Sequence, residues 1–306
     1  MKQTNKQKRL NTYNTYTKQQ GQALLFVVVA MTIALSIGIN ASVRTITSLS
    51  RTSRTDTAAR ALAAAEGGIE RFIALPTLDL EDAVEVSEGT GNTCPVGNKQ
   101  ELNGDNYCMI DFDTSGDVLV SQAFVSVERY TPTFYPFNLE SGQIKEVNMY
   151  DFNSGVFYSS SEIEICWTPT SVSNYADIMY FSYNSAGVQA KGGLTSGEVP
   201  PVGYNQQGFT TAADGGHDGY TYCKQDVDIS SNIYGLRLRV IGGDASIGIF
   251  PDGDDLPLQG YRITSLGRLE QDQGVVASRI IRIVRTLPYL SVGFDYGLYS
   301  ELPIMK

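Results

Sequence analysis

One histidine stands in the 306 residues, His217, inside DGGHDG. A Ser-His-Asp hydrolase would need it as the base that takes the nucleophile's proton. No G-x-S-x-G elbow accompanies it, and a histidine set between Gly and Asp fits a solvated turn. The chain is therefore not expected to be an enzyme. Asp252, Asp254 and Asp255 in PDGDD, with Asp214 and Asp218 in a second Asp-Gly stretch, offer hard oxygen ligands to calcium. A calcium loop of the EF-hand kind needs spaced ligands and a late bidentate Glu, which are missing here. Asp-Gly is first of all a turn signal. These three aspartates remain the metal candidates on an incomplete pattern; no cofactor is expected, because no Walker, dinucleotide or zinc signature occurs.

Cys94, Cys108, Cys166 and Cys223 lack CxxC spacing and a neighbouring His, so they do not form a metal set. In an exported chain an even number of cysteines reads as disulfides. Four cysteines permit three pairings. The favoured one is Cys94–Cys108, closing a short loop, with Cys166–Cys223 tying a strand to a later loop. Trp167, beside Cys166 on an alternating strand, is expected to pack next to that disulfide. Tyr130, Phe134, Tyr135 and Phe137 in YTPTFYPF suggest a Pro-interrupted loop covering the core, or, if exposed, a binding surface for sugars or protein.

The export argument comes from charge. Five of the 23 Lys and Arg (Lys2, Lys6, Lys8, Arg9, Lys18) lie in residues 1–21, which hold no acid, while all 33 Asp and Glu come later. An acidic body argues against nucleic acid as a partner, since phosphate contacts need clustered cations. A basic leader fits a cytoplasmic N-terminus with the body across the membrane. Between them runs KQQGQALLFVVVAMTIALSIGINASVR, uncharged from Gln22 to Val43. That is long enough to span a bilayer as a helix, which takes roughly 20 residues. It is longer than the apolar core of about 7–15 residues in a secretory signal, and no A-x-A site follows it. The stretch continues helix-like: Ile39, Val43, Ile46 and Leu49, then Ala61, Ala65, Ile69 and Phe72, keep three- and four-residue steps. Pro76 ends it. Residues 22–75 would make one helix of about 80 Å at 1.5 Å per residue.

A leader ending in Gly21, the run ALLFVVVAMTIALSIG, and Ala64-Ala65-Glu66-Gly67-Gly68-Ile69-Glu70 some forty residues on together resemble type IV pilin-like proteins. They are most similar to PilX-type minor pilins and to the K-type pseudopilin of type II secretion. The resemblance covers about residues 15–75. It implies that a prepilin peptidase removes residues 1–21 by cutting between Gly21 and Gln22. It implies N-methylation of the new N-terminus, a residue that is most often Phe in the family and is Gln22 here. The retained helix would sit in the membrane and then pack with like helices through Leu24, Leu25, Phe26, Val27, Val28, Val29, Ile33 and Leu35. Most pilins carry Glu at the fifth mature position, facing a neighbour's terminal amine. Phe26 stands there in this chain, and the K-type pseudopilin, placed at the tip, lacks the same Glu.

After Pro76, strand signals dominate. They cover 117–130, 154–167, 177–184, 234–243, 245–250, 261–269 and 274–288, with the Gly- and Ser-rich stretch 184–219 read as loops. The expected fold class is α+β: a long N-terminal helix, transmembrane and then amphipathic, on a mainly antiparallel β-rich domain of residues 77–306. The expected function is that of a minor or tip-like subunit of a type IV pilus or type II secretion pseudopilus. Its partners would be other pilins or pseudopilins, the prepilin peptidase and the inner-membrane assembly platform. The chain would begin as a single-pass protein of the cytoplasmic membrane, its body outside, and move to a surface filament. The rival is a single-pass anchored binding protein or adhesin that never polymerises.

Overall fold

The computed structural model describes residues 20–112, 119–170, 175–197, 206–214, 217–271 and 274–288, with side chains from Leu24 onward and excepting those of 213 and 214. Its elements in chain order are α1 (Gln20–Ile73), α2 (Thr77–Ser87), β1 (Asn98–Leu102), β2 (Asp105–Asp111), β3 (Val120–Tyr130), β4 (Tyr135–Leu139), β5 (Ile144–Asn148), β6 (Tyr150–Asp151), β7 (Val156–Phe157), β8 (Glu162–Pro169), β9 (Asp177–Asn184), β10 (Gly187–Thr195), β11 (Thr210–Thr211), β12 (Ala213–Asp214), β13 (Tyr222–Asp228), β14 (Gly235–Ile241), β15 (Ala245–Pro251), β16 (Gly260–Gln271) and β17 (Gly274–Thr286). The chain divides into two compact units between Arg60 and Ala61, and α1 contributes residues to both.

The described residues of the first unit, 20–60, are helical. Six consecutive apolar residues, Leu24 to Val29, step around it at about 100° each and so cover every side. A helix apolar all round suits lipid or the middle of a bundle, and this one is long and apolar enough to cross a membrane. Two hydroxyls of the apolar part bond inward: Thr32 Oγ1 donates to the Val29 carbonyl and Ser36 Oγ to that of Thr32, both at 2.8 Å. Hydroxyls satisfied this way leave no donor for the hydrocarbon.

The second unit is α+β, with three five-stranded sheets and a small hairpin. The first sheet, ordered β1-β2-β3-β16-β17, is antiparallel throughout. Alternation in YRITSLGRL puts Tyr261, Ile263, Ser265 and Leu269 on its buried face and leaves Arg262, Thr264 and Arg268 half-buried on the other. Against that face pack Ile69 and Phe72 of α1 with Leu80, Ala83, Val84 and Val86 of α2. The second sheet (β11-β10-β9-β14-β5) and third (β12-β13-β8-β15-β4) share a separate core, in which Leu236, Leu238 and Val240 meet Ile163, Ile165, Trp167, Ile247 and Ile249. One pair, β10 with β11, is parallel.

Three features differ from the sequence expectation. Residues 77–87 form α2, not part of a strand-rich stretch. Pro76, whose fixed φ suits a helix start as well as a stop, ends α1 and caps α2. Alternating apolar and acidic residues hide the helical face, which is Leu80, Ala83 and Val84. Within 184–219, residues 187–195 are not loop but strand β10, because its glycines make room for rings: a Cβ on Gly193 would stand 2.5 Å from Phe209. YTPTFYPF likewise contains strand β4, which places Tyr135 in the core and stacks Phe134 on Phe250 at 4.5 Å.

Glu81 fastens α2 to the sheet. It accepts from the Tyr261 hydroxyl and from Asn153 Nδ2, both at 2.5 Å, and pairs with Arg129 at 2.5 Å. Burial, then the hydrogen bond to Glu81, pushes the Tyr261 phenol well up. Burial and Glu146 do the same to Tyr183, whose hydroxyl lies 2.7 Å from that carboxylate. A raised folded value means that the native state holds these protons more tightly than the unfolded chain does. The contribution to stability is intact below the unfolded tyrosine value of about 10 and is lost as pH rises beyond it. Melting between pH 8 and 12 should fall more steeply beyond pH 10 in the wild type than in Tyr183→Phe; equal slopes would disprove this.

Candidate functional site

The residues proposed for helix packing, Leu24, Leu25, Phe26, Val27, Val28, Val29, Ile33 and Leu35, all lie on α1 and are 45–71% exposed. Gly21 and Gln22 lie in the first turn of α1. The basic stretch before Gln20, with Lys2, Lys6, Lys8, Arg9 and Lys18, lies outside the described residues. The first charge after Gln22 is Arg44, followed by Arg51, Arg54 and Arg60, the last paired with Asp56 at 3.2 Å.

Downstream, the small residues of AARALAAAEGGIE acquire a structural cause. Ala61, Ala64, Ala65 and Gly68 are the face of α1 that lies on the first sheet. A Cβ on Gly68 would stand 2.4 Å from Ser265 Oγ and 2.9 Å from Ala123 Cβ. The sheet reciprocates: a Cβ on Gly267 would lie 2.0 Å from the Ala61 carbonyl oxygen and 2.6 Å from the Ala65 nitrogen. Backbone meets backbone there, and only glycine permits it. Glu66 and Glu70 point to solvent, and Arg71 lies over the Phe112 ring at 5.0 Å.

Of the three cysteine pairings, the structure forms Cys94–Cys108 and Cys166–Cys223. The second joins directly opposed residues of β8 and β13, with Cα atoms 4.0 Å apart. Trp167 is fully buried beside it, and its indole N–H donates to the Ala176 carbonyl at 2.8 Å. The bonds close separations of 57 and 14 residues. By chain entropy, Cys166→Ala with Cys223→Ala should cost about 4 kcal/mol, and Cys94→Ala with Cys108→Ala about 3 kcal/mol. Denaturant titration of the two double variants checks the order, and a reversed order would overturn it.

His217 is half-exposed and stacked on Phe250 at 4.2 Å, with Nδ1 3.1 Å from Glu164 Oε2. Among the described residues no hydroxyl bonds its ring. Glu164, Cys166 and Cys223 gather as potential metal ligands, but both sulfurs are held in the disulfide. Asp252, Asp254 and Asp255 are exposed around Gly253, whose φ is +94°. Ser159 Oγ donates to Asp254 at 2.7 Å and Ser160 Oγ to Asp252 at 3.4 Å, while the Asp252 N–H donates to the Tyr158 hydroxyl at 2.6 Å. These contacts are those of a stabilised turn.

Sequence alternation gave no sign that Arg237 is buried. Its guanidinium is 1% exposed, 3.5 Å from Glu146 and 5.9 Å from the centre of the Phe181 ring. A charge at that depth persists only where carboxylate and aromatic partners surround it.

No family model and no curated protein matches the chain. A solved chain described as "Pore forming protein" aligns at 10% identity over 63% of this chain and 92% of its own, with a TM-score of 0.08. A superposition that poor carries no argument.

Proposed function

We propose that this chain is a pilin-like subunit of the minor or tip-like class, assembled through its N-terminal helix into a type IV pilus or a type II secretion pseudopilus. Processing by a prepilin peptidase removes residues 1–21, and Gln22 becomes the N-terminus. The observation that carries the reading is the continuity of α1. One helix runs unbroken from Gln20 to Ile73, apolar on every side through Leu35 and built for close packing on a sheet from Ala61. A plain anchor needs only the first part. Exchanging lipid for neighbouring helices keeps the apolar residues in an apolar medium, so packing contacts decide the exchange.

Phe26 favours the tip-like class within this reading. An apolar side chain at the fifth mature position cannot neutralise the amine of a preceding subunit, and a buried unpaired ammonium is costly. The assembly machinery and other pilins or pseudopilins are then the partners, with the body outside the cytoplasmic membrane and later on a filament.

N-terminal mass spectrometry of the native protein, from cells with and without prepilin peptidase, tests the reading. The expected result is a chain starting at Gln22 in the first case and at Met1 in the second. A start at Met1 in both would leave an anchored, non-polymerising protein. A start beyond residue 44 would mean that the helix is discarded.

A further inference from the structure

Among the described residues the three large sheets end in six edge strands, and five are short or guarded. β1, β4 and β5 have 5 residues each, β11 and β12 have 2, and β4 also carries Pro136. The sixth, β17, has 13 residues. It pairs with β16 on one side and, among the described residues, with no strand on the other. A long row of backbone N–H and C=O groups is thereby left for another strand. The sequence GVVASRIIRIVRT holds no proline, glycine only at its first position, and six β-branched aliphatic residues. Val275, Val276, Ile280 and Val284 are 43–65% exposed.

Charge narrows the occupant. In a chain of net charge -10, this strand bears Arg279, Arg282 and Arg285 and no acid. Among the described residues none of the three pairs with a carboxylate. Arg279 donates to the Ser278 carbonyl and Arg282 Nε to Thr264 Oγ1, both at 3.2 Å, and Arg285 donates to the Leu75 carbonyl. A second copy would set three arginines against three, which like-charge repulsion opposes.

We propose that β17 is a strand acceptor, taking an extended, acidic, β-branched segment of another protein as the sixth strand of its sheet. Backbone pairing supplies affinity, and carboxylates flanking the arginines select the segment. The proposal goes beyond the proposed function and does not depend on how the N-terminus is processed.

The probe is a synthetic nine-residue peptide of Val, Ile and Thr with Glu at every third position, so that its carboxylates fall on both faces as the three arginines do, tested against full-length protein in detergent micelles. Fluorescence anisotropy reports binding, and hydrogen exchange reports the amides of 274–286. Saturable binding is expected, with new protection of those amides. Arg279→Glu with Arg282→Glu should weaken binding about tenfold, equal to 1.4 kcal/mol. Arg279→Gln with Arg282→Gln should lie between, and unchanged melting of both variants shows that the fold is kept. Equal binding of the same peptide with Lys for Glu would overturn the proposal, as would no saturable binding. Protection already complete in the free chain would mean that the chain covers its own edge. Protection rising with protein concentration would mean pairing between copies. Either result also overturns it.

Discussion

Gly267→Val lowers the stability of the body by about 3 kcal/mol or more. The cause is local and steric. The glycine lies where β16 passes under α1, and even a methyl group there would sit 2.0 Å from the Ala61 carbonyl oxygen. Backbone cannot rotate out of the way as a side chain can, so the helix must lift as a whole. Lifting it loosens Ile69 and Phe72 from the core they share with α2 and the sheet. For a body of this size the loss corresponds to a fall in melting temperature of roughly 6–12 °C. Gly267→Ala should fall between variant and wild type. Gly38→Ala is the control: nothing lies within 4 Å of its Cβ position, so the melting of the body should not move. Melting of Gly267→Val within about 2 °C of wild type would show that helix and sheet are not held in contact there.

The second large effect concerns assembly. Gly21→Val should leave the leader attached in cells containing prepilin peptidase, and the protein should be missing from sheared filaments. An uncut chain keeps Lys2, Lys6, Lys8, Arg9 and Lys18 ahead of its apolar helix. Drawing five cations into an apolar medium opposes any movement of that helix out of the membrane. The body should be unaffected, since it is built from residue 61 onward, and equal melting of the two proteins would confirm that only processing changed. Entry of Gly21→Val into filaments at the wild-type level would remove the basis of the proposed function. A wild type that is itself uncut would do the same.

Patterns with one period were legible in the sequence. β-Branched and aromatic residues in 261–269 and 177–184 located β16 and β9, and the uncharged run of 22–43 located the apolar half of α1. Where two signals overlapped, sequence failed. Residues 77–87 lie in a domain expected to be β-rich and fold as a helix, because Pro76 starts it and the buried spacing is helical. YTPTFYPF contains prolines and still contributes an edge strand, where proline is tolerated.

Sequence by itself determined the long helix, the α+β class and the split between a basic N-terminal stretch and an acidic remainder. Each follows from residue type along a contiguous stretch, where hydropathy and charge act locally. Tertiary structure alone decided that Ala61, Ala65, Gly68 and Gly267 are one surface, that Arg237 lies buried against Glu146, and that β17 ends its sheet among the described residues. Those facts join residues many positions apart, and sheet order and close approach depend on which strands meet, which no local pattern encodes.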